Sequence, residues 1–228
     1  MSTTTTMEKP LTLISATPSP FARMNRIALA LKGIPFNLQN EIPWHSDTKT
    51  PKYNPLEKLP ILLFPDDRKP VYDSAHIQQY IVKKYADRGP KLTTGDIDDD
   101  LEISQIVTLS EGCLDAIVLL RWEGRRAPDV QSTLWTDRQN RKVDGAMRAF
   151  NDLVLEMREK GKEYLVGEEM TIADIAVVCA VEWVEWAKLR EGWGDEYPRL
   201  REWVQKLGGG KEFVETRPEM FALSEKVV

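Results

Sequence analysis

The first eighty-five residues switch between two spacings of apolar side chains. They run together in Leu11-Thr12-Leu13-Ile14-Ser15, then recur at steps of three and four in Phe21, Met24, Ile27, Ala28 and Leu31. The first spacing predicts a strand and the second a helix buried along one side. Gly33 falls where that helix should end. Pro35-Phe36-Asn37-Leu38-Gln39 predicts a second strand, and strand, helix, strand in that order implies a crossover with parallel pairing. Residues 41–55 read as irregular, interrupted by Pro43, Pro51 and Pro55. Leu59-Pro60-Ile61-Leu62-Leu63-Phe64 predicts a third strand, Pro65-Asp66-Asp67 a turn, and Val71-Tyr72 the short return arm of a hairpin. Asp73-Ser74 then caps a helix carrying Ile77, Tyr80 and Ile81. Residues 10–85 therefore follow the order βαβ, then ββα.

Past Ala86-Asp87-Arg88-Gly89-Pro90 the strand signals stop. One long helix is expected from about Asp98 to Arg126. A second, from about Thr136 to Lys160, places Val143, Met147, Phe150, Val154 and Met157 at alternating steps of four and three, the stripe of a bundle helix. A third, from Thr171 to about Leu189, is apolar almost all round between Ile172 and Val181, as suits a helix enclosed by others. A fourth follows Pro198. The expected division is a disordered tail over residues 1–8, a mixed domain over 9–85, a linker over 86–97 and an all-helical domain over 98–228.

Composition narrows the class. With 42% hydrophobic and 29% charged residues the chain can bury a core without staples. Cys113 and Cys179 form neither a CxxC pair nor a metal-ligand spacing, so we expect no metal site and a reducing, cytoplasmic setting. No basic run interleaved with aromatics suggests nucleic acid. No apolar run is expected to reach the eighteen or so residues of a membrane span, and the start Met1-Ser2-Thr3-Thr4-Thr5-Thr6 lacks the order of a secretion signal. The net charge of −5 is divided unevenly: residues 1–85 hold eleven Lys and Arg against seven Asp and Glu, and the remainder twenty against twenty-nine. The more basic first part suits a small anionic ligand, although a solvated surface explains it equally well.

Ser19-Pro20-Phe21-Ala22-Arg23 carries the first candidate chemistry. A helix start exposes backbone N–H groups and about half a positive charge, so an anion or thiolate is favoured just outside it. Ser before Pro is also an ordinary cap. Three further segments follow in order: Asn54-Pro55-Leu56-Glu57-Lys58-Leu59-Pro60-Ile61, Tyr72-Asp73-Ser74, and Gly167-Glu168-Glu169-Met170-Thr171-Ile172-Ala173-Asp174. Together with the first they closely resemble the cytosolic glutathione transferases, of the serine type, over nearly the whole chain.

That resemblance implies an α+β chain, with a thioredoxin-like βαβ-ββα domain that binds glutathione, followed by an all-α bundle. It implies that Ser19 hydrogen-bonds the glutathione sulfur and holds it as thiolate. It implies a cis bond before Pro60, which turns the Leu59 backbone toward the tripeptide as an added strand. Asp73 and Ser74 would meet the γ-glutamyl end, Phe21 would pack beside the ligand, and Lys58 or His45 would meet the glycine carboxylate. Thr171 and Asp174 form a capping box assigned to folding. The second-substrate pocket is expected between the domains, lined by Trp44 and by Arg121, Trp122 and Arg125, with Arg126 nearby; such a cluster also serves surfaces and dimer contacts. If it lines the pocket, an anionic or aromatic substrate is favoured. The expected activity is conjugation of glutathione, as co-substrate, to a small hydrophobic electrophile by a homodimer serving detoxification. A glutathione-dependent isomerase, an ether-cleaving enzyme and a non-catalytic glutathione binder remain alternatives.

Overall fold

The computed structural model describes residues 9–225 and residue 227. The tail expected over residues 1–8 lies outside the described residues. Leu11–Ser15 (β1), Phe36–Asn40 (β2), Ile61–Leu63 (β3) and Val71–Tyr72 (β4) form one mixed sheet in the order β2-β1-β3-β4. β2 lies parallel to β1 with Leu38 opposite Leu13, and β3 lies antiparallel with Leu62 opposite Leu13. The crossover between β1 and β2 is Pro20–Leu31 (α1). Met24, Ile27 and Ala28 are fully buried along it, as the spacing requires. It ends where Gly33 turns to φ +62°, and Ile34 N–H reaches back to Leu29 O at 3.0 Å; a side chain at that φ would be strained.

Residues 41–55 are not wholly irregular, because Thr50–Tyr53 (α2) forms one helical turn. Pro51 fits its first turn, where an N–H has no helical partner to lose. Ser74–Lys84 (α3) packs against α1, completing the first domain. The linker expected over 86–97 is fastened down. A Cβ at Gly89 would sit 2.4 Å from Leu31 O, and the fully buried Leu92 accepts from Ile172 N–H at 3.1 Å.

Ile97–Glu123 (α4), Thr133–Glu159 (α5), Ile172–Trp186 (α6), Trp193–Glu196 (α7), Pro198–Gly208 (α8) and Lys211–Val214 (α9) make up the helical domain, with a 3-10 turn at Pro128–Val130. The five apolar positions expected to line α5 are all buried, and so is every residue of α6 from Ile172 to Val181. α4 is long and apolar enough to cross a bilayer by length and composition, contrary to the expectation that no segment is. Its apolar side is instead occupied by α5 and α6, on which it packs.

The two domains meet along α1. Arg23, buried on α1, pairs with Glu182 of α6 and donates to Phe213 O at 3.0 Å and Thr216 Oγ1 at 3.3 Å. Beside Glu182, Trp183 donates its indole N–H to Pro18 O at 2.8 Å. The bundle thereby holds the turn that leads into α1.

Candidate functional site

Ser19 caps α1, with extended backbone (φ −70°, ψ 114°) and Pro20 at the first helical position. Its Oγ accepts from Ala22 N–H at 3.2 Å, and its own N–H donates to Ala16 O at 2.9 Å. With Oγ already an acceptor inside the helix, the hydroxyl proton is the part left to face outward.

Leu59 and Pro60 are joined by a cis peptide bond at the start of β3. Asn54 shapes the turn before it, donating to Lys58 O at 2.9 Å and accepting from Leu56 N–H at 3.0 Å. Among the described residues nothing hydrogen-bonds the Leu59 backbone N–H, so a strand-like partner could take it. Lys58 is exposed beside it. His45, the other residue expected at the glycine end, faces elsewhere: its Nε2 lies 3.3 Å from the backbone nitrogen of Ser224.

Asp73 stands at φ +74° and accepts from Ala75 N–H at 3.1 Å as the cap of α3. That backbone costs about 1–3 kcal/mol for a non-glycine residue and is held here by the cap hydrogen bond. Ser74 is 3% exposed. Its hydroxyl donates to Phe21 O at 3.2 Å and accepts from Asn25 Nδ2 at 3.0 Å. The Ser74 side chain therefore ties α3 to α1, and what it leaves for a ligand is its backbone N–H at the helix start.

One cavity of about 240 Å³ is lined by Ser19, Phe21, Lys58, Leu59, Pro60, Asp73 and Ser74 together. Two carboxylates from α4, Glu111 and Asp115, also line it, and the sequence reading missed both. Burial, reinforced by the Asp73 charge, pushes the Glu111 carboxyl up to about 7. Asp115 is also raised, chiefly by burial, while Lys58 acts the other way. Among the described residues Glu111 Oε1 has no hydrogen-bond partner. The available signal was their i, i+4 spacing, which sets like charges side by side on a helix.

A second chamber of about 100 Å³ adjoins the first and shares Pro18, Trp44, Val118 and Phe221 with it. Arg121, Trp122 and Arg125 line it, as do Trp183 and Trp186 of α6. Trp44 meets Trp122 edge-on at 4.4 Å between ring centroids. The Arg121 guanidinium lies 5.2 Å from the Trp186 ring centre, and that of Arg125 5.4 Å from that of Trp122. Burial, then the neighbouring Arg125 charge, lowers the Arg121 pKa. Arg126 does not line the chamber and pairs with Glu123 at 3.3 Å. The closing wall comes from the C-terminal segment, whose Glu219 N–H donates to Thr17 O at 3.3 Å. That segment is unhelical and has no period by which its role could be read.

The fold agrees with comparisons to known proteins. Residues 18–84 match the glutathione S-transferase N-terminal domain profile, and residues 135–208 match the C-terminal one. The chain is 28% identical to an uncharacterised GST-like protein of Escherichia coli K12, YibF, over 90% of its length and 98% of that protein's. It is 27% identical to glutathione S-transferase U17 of Arabidopsis thaliana, over 93% and 92%. A glutathione S-transferase of Methylobacterium radiotolerans, solved with glutathione sulfonate, superposes with a TM-score of 0.89 at 35% identity, covering 96% of this chain and all of that one. The chain belongs to the glutathione S-transferase family.

Proposed function

We propose that the protein is a glutathione transferase in which Ser19 stabilises the glutathione thiolate for attack on a hydrophobic electrophile. The observation that carries this reading is the Ser19 hydroxyl, capped from behind by Ala22 N–H, at the wall of a cavity shared with the free Leu59 backbone and the Asp73-Ser74 helix start. The residues suit the tripeptide. The Leu59 N–H meets its backbone, the start of α3 its γ-glutamyl carboxylate, and Asp73 with Glu111 its ammonium. Lys58 is the remaining cation for the glycine carboxylate.

Lowering a thiol pKa from about 8.5 to about 6.5 requires roughly 2.7 kcal/mol of preference for the thiolate. A charge-assisted hydrogen bond contributes about 1.5–3 kcal/mol, and the start of α1 adds about 0.3–1 kcal/mol. The two suffice without a general base. Serine also favours transfer over the mixed-disulfide chemistry that a cysteine there would support. The two buried free thiols, Cys113 and Cys179, fit a reducing cytoplasm, and we place a homodimer there.

Ser19→Ala tests the assignment. Glutathione should still bind, while the bound thiol titrates near its free value and conjugation at neutral pH falls by about ten- to hundredfold. Ultraviolet titration of the bound thiolate and steady-state rates would show it; an unchanged thiol pKa removes Ser19 from the mechanism.

A further inference from the structure

We infer that the second chamber selects an aromatic electrophile bearing an anionic group, held by Arg121 and Arg125. This rests on the transferase reading for its chemistry, though not for its binding. The chamber has aromatic walls from Trp44, Trp122 and Trp186 and contains two arginines and no carboxylate. Among the described residues neither guanidinium has an acidic partner; each lies over a tryptophan instead. Arginine near a helix C-terminus is common because it offsets the helix dipole. That role calls for neither an indole beside each guanidinium nor a shared aromatic-lined cleft. A flat ring between indoles with a carboxylate against the two forks uses both features at once.

The position along α4 adds a second argument. Glu111, Asp115, Val118 and Trp122 follow one another on α4 at steps of four and three, with Arg121 in its last turn and Arg125 in the turn just beyond it, so the cleft passes from acid to base along the helix. The acidic end lines the chamber of Ser19 and Asp73. The basic end lines the chamber where the reaction partner would lie. An ammonium-bearing tripeptide and an anionic aryl substrate match the two ends, and their charges favour that order over its reverse.

With a chlorodinitrobenzoate the step is a substitution. The thiolate sulfur donates its electron pair to the ring carbon bearing chlorine, a C–S bond forms, and chloride leaves with the C–Cl electron pair. The thiol proton has already passed to solvent, so no oxidant or reductant is needed.

Binding is tested apart from turnover. In the presence of glutathione, calorimetry compares 3,5-dinitrobenzoate with 3,5-dinitrobenzamide, neutral and close in shape, neither carrying a halide or an activated nitro group that the thiolate could displace. The wild-type protein should bind the benzoate at least about tenfold more tightly at low salt, with the gap narrowing as salt rises. Arg121→Gln/Arg125→Gln should abolish the gap, and Arg121→Lys/Arg125→Lys should restore part of it. Equal affinity of the wild-type protein for the two ligands overturns the inference whether or not the variants fold. Rates with the chlorinated benzoate and benzamide, each divided by its uncatalysed rate, should show the same preference. Tight benzoate binding without turnover of either compound would support the anion site while refuting the transferase reading.

Discussion

At the scale of single residues, Glu111 makes the sharpest claim about charge. Its carboxyl rises from an ordinary 4.5 to about 7 because burial and Asp73 disfavour the anion. Below pH 4.5 folded and unfolded chains both hold the proton. Between 4.5 and 7 the unfolded chain releases it and the folded chain keeps it, so stability falls as pH rises through this window and levels off above 7. Glu111→Gln removes the penalty and should stabilise the free protein by about 3 kcal/mol at pH 8, with little effect at pH 4. Urea unfolding at the two pH values checks this; a constant difference would mean the carboxyl is not held protonated. An ammonium bound beside it would draw the proton off, so glutathione binding near pH 7 should release protons to the buffer. What was legible at this scale was local. Ser19, Pro60 and Asp73 announce themselves through the helix starts and strand they border. Glu111 and Asp115 do not, since a carboxylate on a long helix looks like any solvated one until the facing domain is present.

At the scale of elements, helices several turns long were readable and single turns were not. The apolar stripe of α5 and the all-round apolar run of α6 repeat often enough to establish a period, whereas α2, α7 and α9 have four residues each. One turn contains too few positions for periodicity and depends on packing for its stability. The capping box of α6 was readable because its residues lie three apart. The structure adds a bond that the spacing could not show: Asp174 accepts from Leu165 N–H at 2.9 Å as well as from Thr171 N–H at 2.7 Å. Asp174 is thus a joint between α6 and the loop before it, buried enough that its pKa rises to about 6. Asp174→Ala leaves two buried N–H donors without partners. It should cost about 2–4 kcal/mol, measured as a lower denaturation midpoint, while the thiol pKa of whatever protein stays folded is unchanged. A loss below about half a kcal/mol would show that water replaces the carboxylate there.

At the scale of the whole molecule, α1 is both the start of the site and the seam between domains. The side that caps Ser19 faces the cavity, and the side bearing Arg23 enters the bundle. Sequence patterns predicted that face only as an apolar stripe; a buried Arg and its partner 159 positions away lie beyond the reach of any local period. Arg23 is 2% exposed and Glu182 15%, so the pair stabilises the seam chiefly through what its loss would leave behind. Removing one partner strands the other charge in the interior, typically at about 3–5 kcal/mol. Glu182→Ala should therefore destabilise the protein by about 3 kcal/mol, the lower end because Glu182 keeps some water. Its neighbour Trp183 holds Pro18, so the damage should also reach the site. The thiol pKa in the glutathione complex should rise even where the fold persists. Trp183→Phe bears on the second effect, since it leaves the Arg23–Glu182 pair in place and removes the bond to Pro18 O together with part of the buried ring: it should raise the thiol pKa while costing stability only through the cavity it leaves. If Glu182→Ala unfolds in one transition and leaves the thiol pKa of the folded fraction unchanged, the bundle supports α1 without positioning Ser19.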